Sequence, residues 1–277
     1  MTTPAEPKIA ILGAGVMGET LLAALLRDGW QRSQVTICER RTDRLDELVD
    51  LYHVTATTSA TDAVRDATVV ALVVKPADAV DVLAEVAPHL GPDTLVVSLV
   101  AGVGTARYEA AISEAGGPSD VPVIRVMPNT PAVIGAGVAA ISKGAHADDE
   151  HLTQVAALLS GMGEVVTVDE KDQDAVTALS GSGPAYVFAF IDAMVEGGVL
   201  MGLTREVATT LAVQTVLGSA TLVRDTGDHP VLLRERVTSP GGTTAAGLHV
   251  LDAHAMRAAI TEAMLAARDR SRELSGD

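Results

Sequence analysis

Residues Lys8 to Gly18 read KIAILGAGVMG. Ile9, Ala10, Ile11 and Leu12 form a short apolar run with the length and β-branching of a buried strand. Gly13, Gly15 and Gly18 follow in the order G-x-G-x-x-G, with Ala14, Val16 and Met17 between them. From Glu19 to Arg27 the apolar residues fall at helical spacing. The glycines therefore stand where a strand turns into a helix. There the first glycine permits the tight turn, the second lets backbone approach a pyrophosphate, and the third lets helix and strand pack closely. The helix start offers unpaired N–H groups to phosphate oxygens, which makes Gly13, Ala14, Gly15, Val16, Met17 and Gly18 candidate cofactor contacts.

A glycine triplet alone is a weak signal, and its plain alternative is a glycine-rich turn beside solvated charge. The next element strengthens it. Val35 to Cys38 reads as a second buried strand, ended by Glu39 about twenty residues past the triplet, where dinucleotide-binding folds place an acid on the adenosine ribose. Arg40 and Arg41 come directly after it. Glu39 alone favours NADH, because a carboxylate binds the ribose diol and repels a 2′-phosphate. The two arginines favour NADPH by pairing with that phosphate. NADPH is the reading adopted, with NADH as the alternative.

Composition bounds the rest. The chain has 277 residues, 48% of them hydrophobic and only 2% aromatic, so its core is built from Ala, Val, Leu and Ile. The formal net charge of −16 argues against nucleic acid or an anionic membrane as partner. One cysteine, Cys38, excludes an intrachain disulfide and a cysteine zinc cluster, and reads as a buried apolar residue. No metal site is expected. The stretch MTTPAEPK lacks the basic-then-apolar order of a signal peptide. The longest uncharged stretches are interrupted by Pro, Gly, Thr or Gln and do not read as membrane spans. A cytoplasmic protein is the expectation.

Apolar runs alternate with helical patterns as far as residue 168. Strands are expected at His53–Ala56, Thr68–Val74, Thr94–Val100, Val123–Val126, Gly137–Ile141 (antiparallel) and Glu164–Val168. Between them helices are expected at Thr42–Leu51, Ser59–Asp66 (capped by Ser59 or Thr61), Ala77–Leu90, Tyr108–Glu114 and Glu150–Ser160. This alternation implies a mostly parallel sheet covered on both faces, an α/β Rossmann domain. In such sheets ligands bind at strand carboxyl ends. The glycine turn, Lys75-Pro76, Val100-Ala101-Gly102 and Met127-Pro128-Asn129 should therefore line one crevice. Lys75 is the single cation among them and a candidate cofactor contact; a solvated lysine is the plainer alternative.

After Asp169 the pattern is helical: Asp172–Leu179, Pro184–Met201, Arg205–Thr226, Val231–Val237, and Thr244–Leu274 with a break near Asp252. The expected division is 1–168, dinucleotide-binding, and 169–277, all-α. Between Pro184 and Leu222 only Asp192, Glu196, Arg205 and Glu206 carry charge. A helix apolar all round must be buried on all sides. About a hundred residues can hardly achieve that alone, so a homo-oligomer is inferred over packing against the first domain.

Two glycine-rich turns interrupt the helices. In Ser180 to Tyr186 (SGSGPAY), Pro184 suits a first helical turn and Ser182 a natural N-cap. Ser239-Pro240-Gly241-Gly242-Thr243-Thr244 opens another helix. Glycines before a helix start aim several N–H groups at one point, an anion site that suits a carboxylate. The threonines add hydroxyl donors. A merely capped helix start remains the alternative.

Four segments then carry a specific resemblance: the glycine turn, Val74-Lys75-Pro76, DAVTALSGSGPAY at Asp174–Tyr186, and VTSPGGTTAAGL at Val237–Leu248. In order and spacing they resemble the Δ1-pyrroline-5-carboxylate reductase family over nearly the whole chain. The resemblance implies a Rossmann domain followed by a helical dimerisation and substrate-binding domain. It implies a homodimer at least, with further assembly up to a decamer of dimers open. It implies that Ser239, Gly241, Gly242, Thr243 and Thr244 bind the substrate carboxylate through backbone N–H groups, with Thr244 near the ring nitrogen as the catalytic residue. It places nicotinamide contacts on Val74, Lys75, Pro76, Leu99, Val100 and Ala101. The implied substrate site lies where helices of two subunits meet.

The implied reaction is NAD(P)H-dependent reduction of 1-pyrroline-5-carboxylate to L-proline, the last step of proline biosynthesis. The cofactor carries the hydride, so no strong base is needed. That fits the residues: β-hydroxyacid dehydrogenases share this plan but use a helical lysine, whereas the only lysine after Lys143 is Lys171, at the domain junction. His229, His249 and His254 read as surface or capping histidines. The alternatives are a reductase of another cyclic imine, or a dinucleotide-binding regulatory protein without turnover.

Overall fold

The computed structural model describes residues 7–275. Residues 1–6, most of the stretch read for a leader, lie outside it. The chain forms two compact units.

The first unit runs through Gly181 and takes back the end of the chain from Ala267. Its order is β1 (Ile9–Leu12), α1 (Val16–Arg27), β2 (Val35–Cys38), α2 (Thr42–Tyr52), β3 (Thr55–Thr57), α3 (Ala60–Val64), β4 (Val69–Leu72), α4 (Pro76–Val86) and β5 (Leu95–Ser98). Then come α5 (Thr105–Glu114), β6 (Val123–Met127), β7 (Gly137–Lys143), α6 (Asp149–Leu159), β8 (Gly163–Thr167) and α7 (Gln173–Val176). The strands make one sheet in the order β3-β2-β1-β4-β5-β6-β7-β8. All pairs are parallel except β6 with β7, where Val126 faces Ile141. This is the expected Rossmann-like sheet, including its antiparallel strand.

The apolar tetrads work on both faces. In β1, Ile9 and Ile11 point into one core with Leu21, Leu25, Ile37 and Val97. Ala10 and Leu12 point into the other, with Val70, Leu72, Leu83 and Tyr108. Alternating side chains that are both buried require an all-apolar strand, so the absence of polar alternation was itself the signal. The buried Tyr108 hydroxyl is satisfied by Ser98 Oγ at 3.0 Å.

Several element bounds move for local reasons. The helix after the glycine turn starts at Val16, because Gly15 serves as its N-cap. His53, expected in a strand, takes a left-handed conformation (φ 55°) and ends α2. The helix expected to Leu90 stops at Val86 and tightens into a 3₁₀ turn containing Pro88. The helix expected from Tyr108 starts at Thr105, whose N–H and Oγ1 both donate to Glu170, at 2.7 and 2.6 Å. The helix expected over Asp172–Leu179 is only α7, continued by a π turn over Thr177–Gly181.

The second unit, Ser182 to Ala266, is helical. It holds α8 (Gly183–Leu200), α9 (Arg205–Thr226), α10 (Pro230–Arg236), α11 (Thr243–Ala253) and most of α12 (Met256–Ser275). Ser182 precedes α8 in a helical conformation and its side chain makes no capping bond, so the expected cap is not there. His229 does cap, accepting from the Val231 N–H at 3.2 Å. The break expected near Asp252 falls at Ala255, with φ 54°. Helices α8 and α9 pack through small residues: a Cβ on Gly198 would come within 2.9 Å of that of Ala208. Little else in this unit is buried. Phe188, Leu211, Leu217 and Leu222 are each half exposed or more. By length and composition alone, Glu170–Leu200 and Arg205–Thr226 reach what a membrane crossing needs. Interruptions in the apolar runs argued against such spans, but scattered Thr, Ser and Gln lower mean hydropathy too little to exclude them.

Candidate functional site

Strand carboxyl ends meet in a chain of backbone hydrogen bonds. Gly13 N–H donates to Cys38 O at 2.9 Å, Val73 N–H to Leu12 O at 2.8 Å and Leu99 N–H to Leu72 O at 2.9 Å. The ends of β1, β2, β4 and β5 therefore lie side by side, as parallel register requires.

A cleft of about 660 Å³ opens at the first three of them. Gly13, Ala14, Gly15, Glu39, Arg40, Arg41, Val74 and Lys75 line it, together with Leu12, Cys38, Thr58, Ala60, Val73, Asp78, Val82 and Glu85. Of the residues singled out from sequence for a cofactor, Val16, Met17, Gly18, Pro76, Leu99, Val100 and Ala101 are not in its lining. Met127 and Asn129 do not line it either; Asn129 instead donates to Ser180 O at 3.2 Å and accepts from Val138 N–H at 3.0 Å.

The three glycines differ in their demands. Gly13 has φ 105°, and a Cβ there would fall 2.5 Å from the Val73 carbonyl oxygen. A Cβ on Gly18 would overlap the Gly13 carbonyl. A Cβ on Gly15 would meet no protein atom within 4 Å. The first and third are fixed by packing within the protein, whereas the second faces open space at the start of α1. That space is where a pyrophosphate would approach the helix N–H groups. The residues present therefore fit a dinucleotide.

Charge around the cleft is balanced between Glu39, Asp78 and Glu85 and the cations Arg40, Arg41 and Lys75. Glu39 is engaged with backbone: Oε2 accepts from Ala14 N–H at 3.2 Å and Oε1 from Arg41 N–H at 3.1 Å. Arg40 reaches across to Asp78, Nη2 to Oδ2 at 3.0 Å. Lys75 is the N-cap residue of α4, with Pro76 behind it, and its ammonium has no partner among the described residues. Burial, reinforced by the Glu39 and Glu85 carboxylates against the pull of Arg40, pushes the Cys38 thiol up to about 11. It is therefore a neutral thiol at physiological pH.

Sequence reasoning passed over Asp78, Glu85 and Arg44. Asp78 sits in the first turn of α4, directly behind the Lys75-Pro76 helix start, and that placement was a usable signal. Arg44 lies in α2 and shows its role only in three dimensions: Nε donates to the Ala14 carbonyl at 3.2 Å, and its guanidinium pairs with Glu19 of α1.

The second turn belongs to the other unit. Gly241 has φ 67°, Gly242 N–H donates to Ser239 O at 3.0 Å, and Gly242 is the N-cap of α11. No side chain caps this helix. Among the described residues the hydroxyls of Ser239, Thr243 and Thr244 make no hydrogen bond within the chain. An uncapped helix start whose turn carries three uncommitted hydroxyls can take a small carboxylate.

Comparison with known proteins agrees with both halves. Residues 170–274 match a family model described as pyrroline-5-carboxylate reductase dimerisation. Residues 8–102 match one described as NADP oxidoreductase, coenzyme F420-dependent. The chain is 42% identical over 290 residues to a pyrroline-5-carboxylate reductase of Mycobacterium tuberculosis, covering 96% of each. Among solved structures it resembles a pyrroline-5-carboxylate reductase from Coxiella burnetii, with TM-score 0.90 and 33% identity, covering 97% of this chain and 98% of that one. It also resembles a Plasmodium falciparum pyrroline carboxylate reductase with NADP bound, with TM-score 0.84 and 26% identity, covering 98% of each.

Proposed function

The chain belongs to the pyrroline-5-carboxylate reductase family, and from that membership we infer that it reduces 1-pyrroline-5-carboxylate to L-proline with NADPH. The observation that carries the reading within the chain is the Ser239–Thr244 turn, an uncapped helix start of the kind a substrate carboxylate requires and a mere dinucleotide sensor does not. A regulatory protein without turnover and a reductase of a different imine are correspondingly disfavoured.

When bound, NADPH supplies a hydride from its nicotinamide C4. Every other task falls to the chain. The N–H groups at the start of α1, opened by Gly15, would hold the pyrophosphate. Arg40 and Arg41 are the partners for a 2′-phosphate. Val74 and Lys75, which line the cleft, and Pro76 with Leu99 to Ala101, which lie beside it, would flank the nicotinamide as the family resemblance implies. Backbone N–H groups of Ser239 to Thr244 hold the substrate carboxylate and so fix the ring. The iminium N–H of the ring would donate to the Thr244 hydroxyl oxygen, which keeps the ring oriented while the proton on nitrogen keeps its carbon electrophilic. The hydride would add to the imine carbon, which becomes C5 of proline, and the nitrogen would keep the proton it carries as the iminium. The contribution of the protein is alignment of two carbons, worth several orders of magnitude in rate when both are held.

The division of labour runs with residues 1–168 for the dinucleotide and 169–277 for substrate and subunit contact, supported by the family match from residue 170. The half-exposed apolar side chains of α8 and α9 fit a homodimer, and larger rings would be built from such dimers. A cytoplasmic location and a small-molecule substrate accord with the acidic composition, which offers nothing to nucleic acid.

A cofactor-oxidation assay tests the reading. Purified protein with 1-pyrroline-5-carboxylate should oxidise NADPH faster than NADH and yield proline stoichiometrically. Binding of NADPH without oxidation would sink the reductase assignment and return the sensor reading.

A further inference from the structure

The carboxylate facing Arg40 across the cleft has no part in the chemistry above. We propose that Asp78 is a specificity-determining residue, setting how strongly this protein prefers NADPH over NADH by competing with the 2′-phosphate for Arg40. The proposal rests on the dinucleotide reading of the cleft.

Three cations line the cleft, and two are already engaged. Arg40 Nη2 is 3.0 Å from Asp78 Oδ2, and Arg41 Nε is 3.8 Å from Glu39 Oε1. Glu39 is held by the N–H groups of Ala14 and Arg41, one on each carboxylate oxygen, and its remaining lone pairs can still meet a ribose diol, which both nucleotides can offer. Of the two arginines that would meet the phosphate, the one Asp78 can affect is Arg40, whose side chain is 76% exposed, against Asp78 at 39%. A phosphomonoester brings about two negative charges at neutral pH. To pair with Arg40 it must displace the Asp78 carboxylate or sit beside it. Either way Asp78 opposes the phosphate, and it does nothing comparable to an unphosphorylated ribose. The position of Asp78 is set by sequence: Lys75 precedes α4 as its N-cap residue, Pro76 opens it, and the Asp78 N–H donates to Lys75 O at 3.0 Å.

The test is titration calorimetry with NADP⁺ and NAD⁺ on the full chain and on Asp78→Asn, Arg40→Ala and the double variant. Asparagine keeps the shape of the side chain and removes its charge. Asp78→Asn should tighten NADP⁺ binding about two- to fivefold, the size of a solvated ion pair, and leave NAD⁺ unchanged. The gain should shrink in high salt and in the Arg40→Ala background. The ratio of kcat/KM for NADPH to that for NADH should rise in step. Weaker NADP⁺ binding in Asp78→Asn would overturn the proposal, since Asp78 would then be orienting Arg40 toward the phosphate. An equal gain for both nucleotides, or no change, would also overturn it. If the unaltered chain bound neither nucleotide, the cofactor reading would fall first and this proposal with it.

Discussion

Arg44 holds the carbonyl of Ala14, thirty residues away: its Nε donates to that oxygen at 3.2 Å. The N–H of the same Ala14 donates to Glu39 at 3.2 Å. The residue between the first two glycines is thus clamped through both of its backbone groups, one by the acid after β2 and one by a guanidinium on α2. Arg44 is in turn held by Glu19 of α1, which also accepts from the Tyr52 hydroxyl at 3.0 Å. The turn that must present its N–H groups to a pyrophosphate is braced from outside rather than left to its own glycines.

Arg44→Ala should therefore raise KM for NADPH and NADH together. A hydrogen bond to a charged group is worth about 1.5–3 kcal/mol, so a rise of roughly ten- to a hundredfold in both is expected, with kcat little changed. Arg40→Ala should differ, raising KM for NADPH alone. Steady-state kinetics with both cofactors separates the two roles. Selective loss of NADPH in Arg44→Ala would mean that Arg44 reads the phosphate rather than bracing the turn.

Two alanine substitutions in one motif should part company. Gly13→Ala puts a side chain at φ 105° and 2.5 Å from a backbone oxygen, so it should cost about 2–4 kcal/mol of stability. Gly15→Ala meets no protein atom, so melting should be nearly unchanged while dinucleotide affinity falls. Calorimetric melting and nucleotide titration on both variants check this. Equal destabilisation by the two would contradict the division of roles drawn from packing.

Thr244→Ala should lower kcat about ten- to a hundredfold, as loss of an orienting contact does, and leave the Kd for NADPH unaltered. Thr244→Ser should recover most of the rate. Full activity in the alanine variant would remove this hydroxyl from the mechanism.

The parallel sheet was legible because runs such as IAIL, VVAL and LVVS are almost wholly apolar, as two-sided burial demands. The glycine cleft was legible because the motif sits between a strand and a helix. The clamp on Ala14 was not, since Arg44 and Glu39 lie on different elements and their convergence is a product of tertiary packing. Nor was the return of the chain end: Ser271 on α12 donates to Asp174 at 2.6 Å, across 97 residues of sequence. Ser182 looked like a cap by residue type, yet the π turn preceding it keeps the backbone helical, where a serine side chain cannot cap.

Cys38 gives a pH dependence with a definite sign. The thiol ionises near 9.0 when unfolded and near 11 in the native protein, because burial and the adjacent carboxylates disfavour the thiolate. The native state therefore holds its proton over a range where the unfolded chain has lost it. The stability this confers is complete below about pH 9 and is lost as pH rises through about 11, a total of about 2–3 kcal/mol. Cys38→Ala should lack that loss, so its stability relative to the unaltered protein should improve between about pH 8 and 11. A difference that stays constant over that range would show that Cys38 does not titrate late.

The helical unit makes the largest claim on a partner, and it can be tested by charge. Val195, Ala208 and Ala212 form the only buried apolar cluster of α8 and α9 among the described residues, and they are small. Phe188 is 62% exposed and Leu217 is 57% exposed, on helices whose polar faces are nearly absent. Burying a side chain of that size contributes about 1.5–3 kcal/mol, so a handful of them in a shared interface supports tight association. Leu217→Glu would place an unpaired carboxylate there, which costs several kcal/mol when desolvated. Sedimentation velocity should show the unaltered chain as a dimer or larger and Leu217→Glu shifted toward smaller species. Turnover should fall with that shift if the substrate turn is completed by a second subunit, while NADPH binding to the Rossmann unit persists. An unaltered chain that sediments as a monomer at micromolar concentration would leave those side chains without their partner and overturn the dimer.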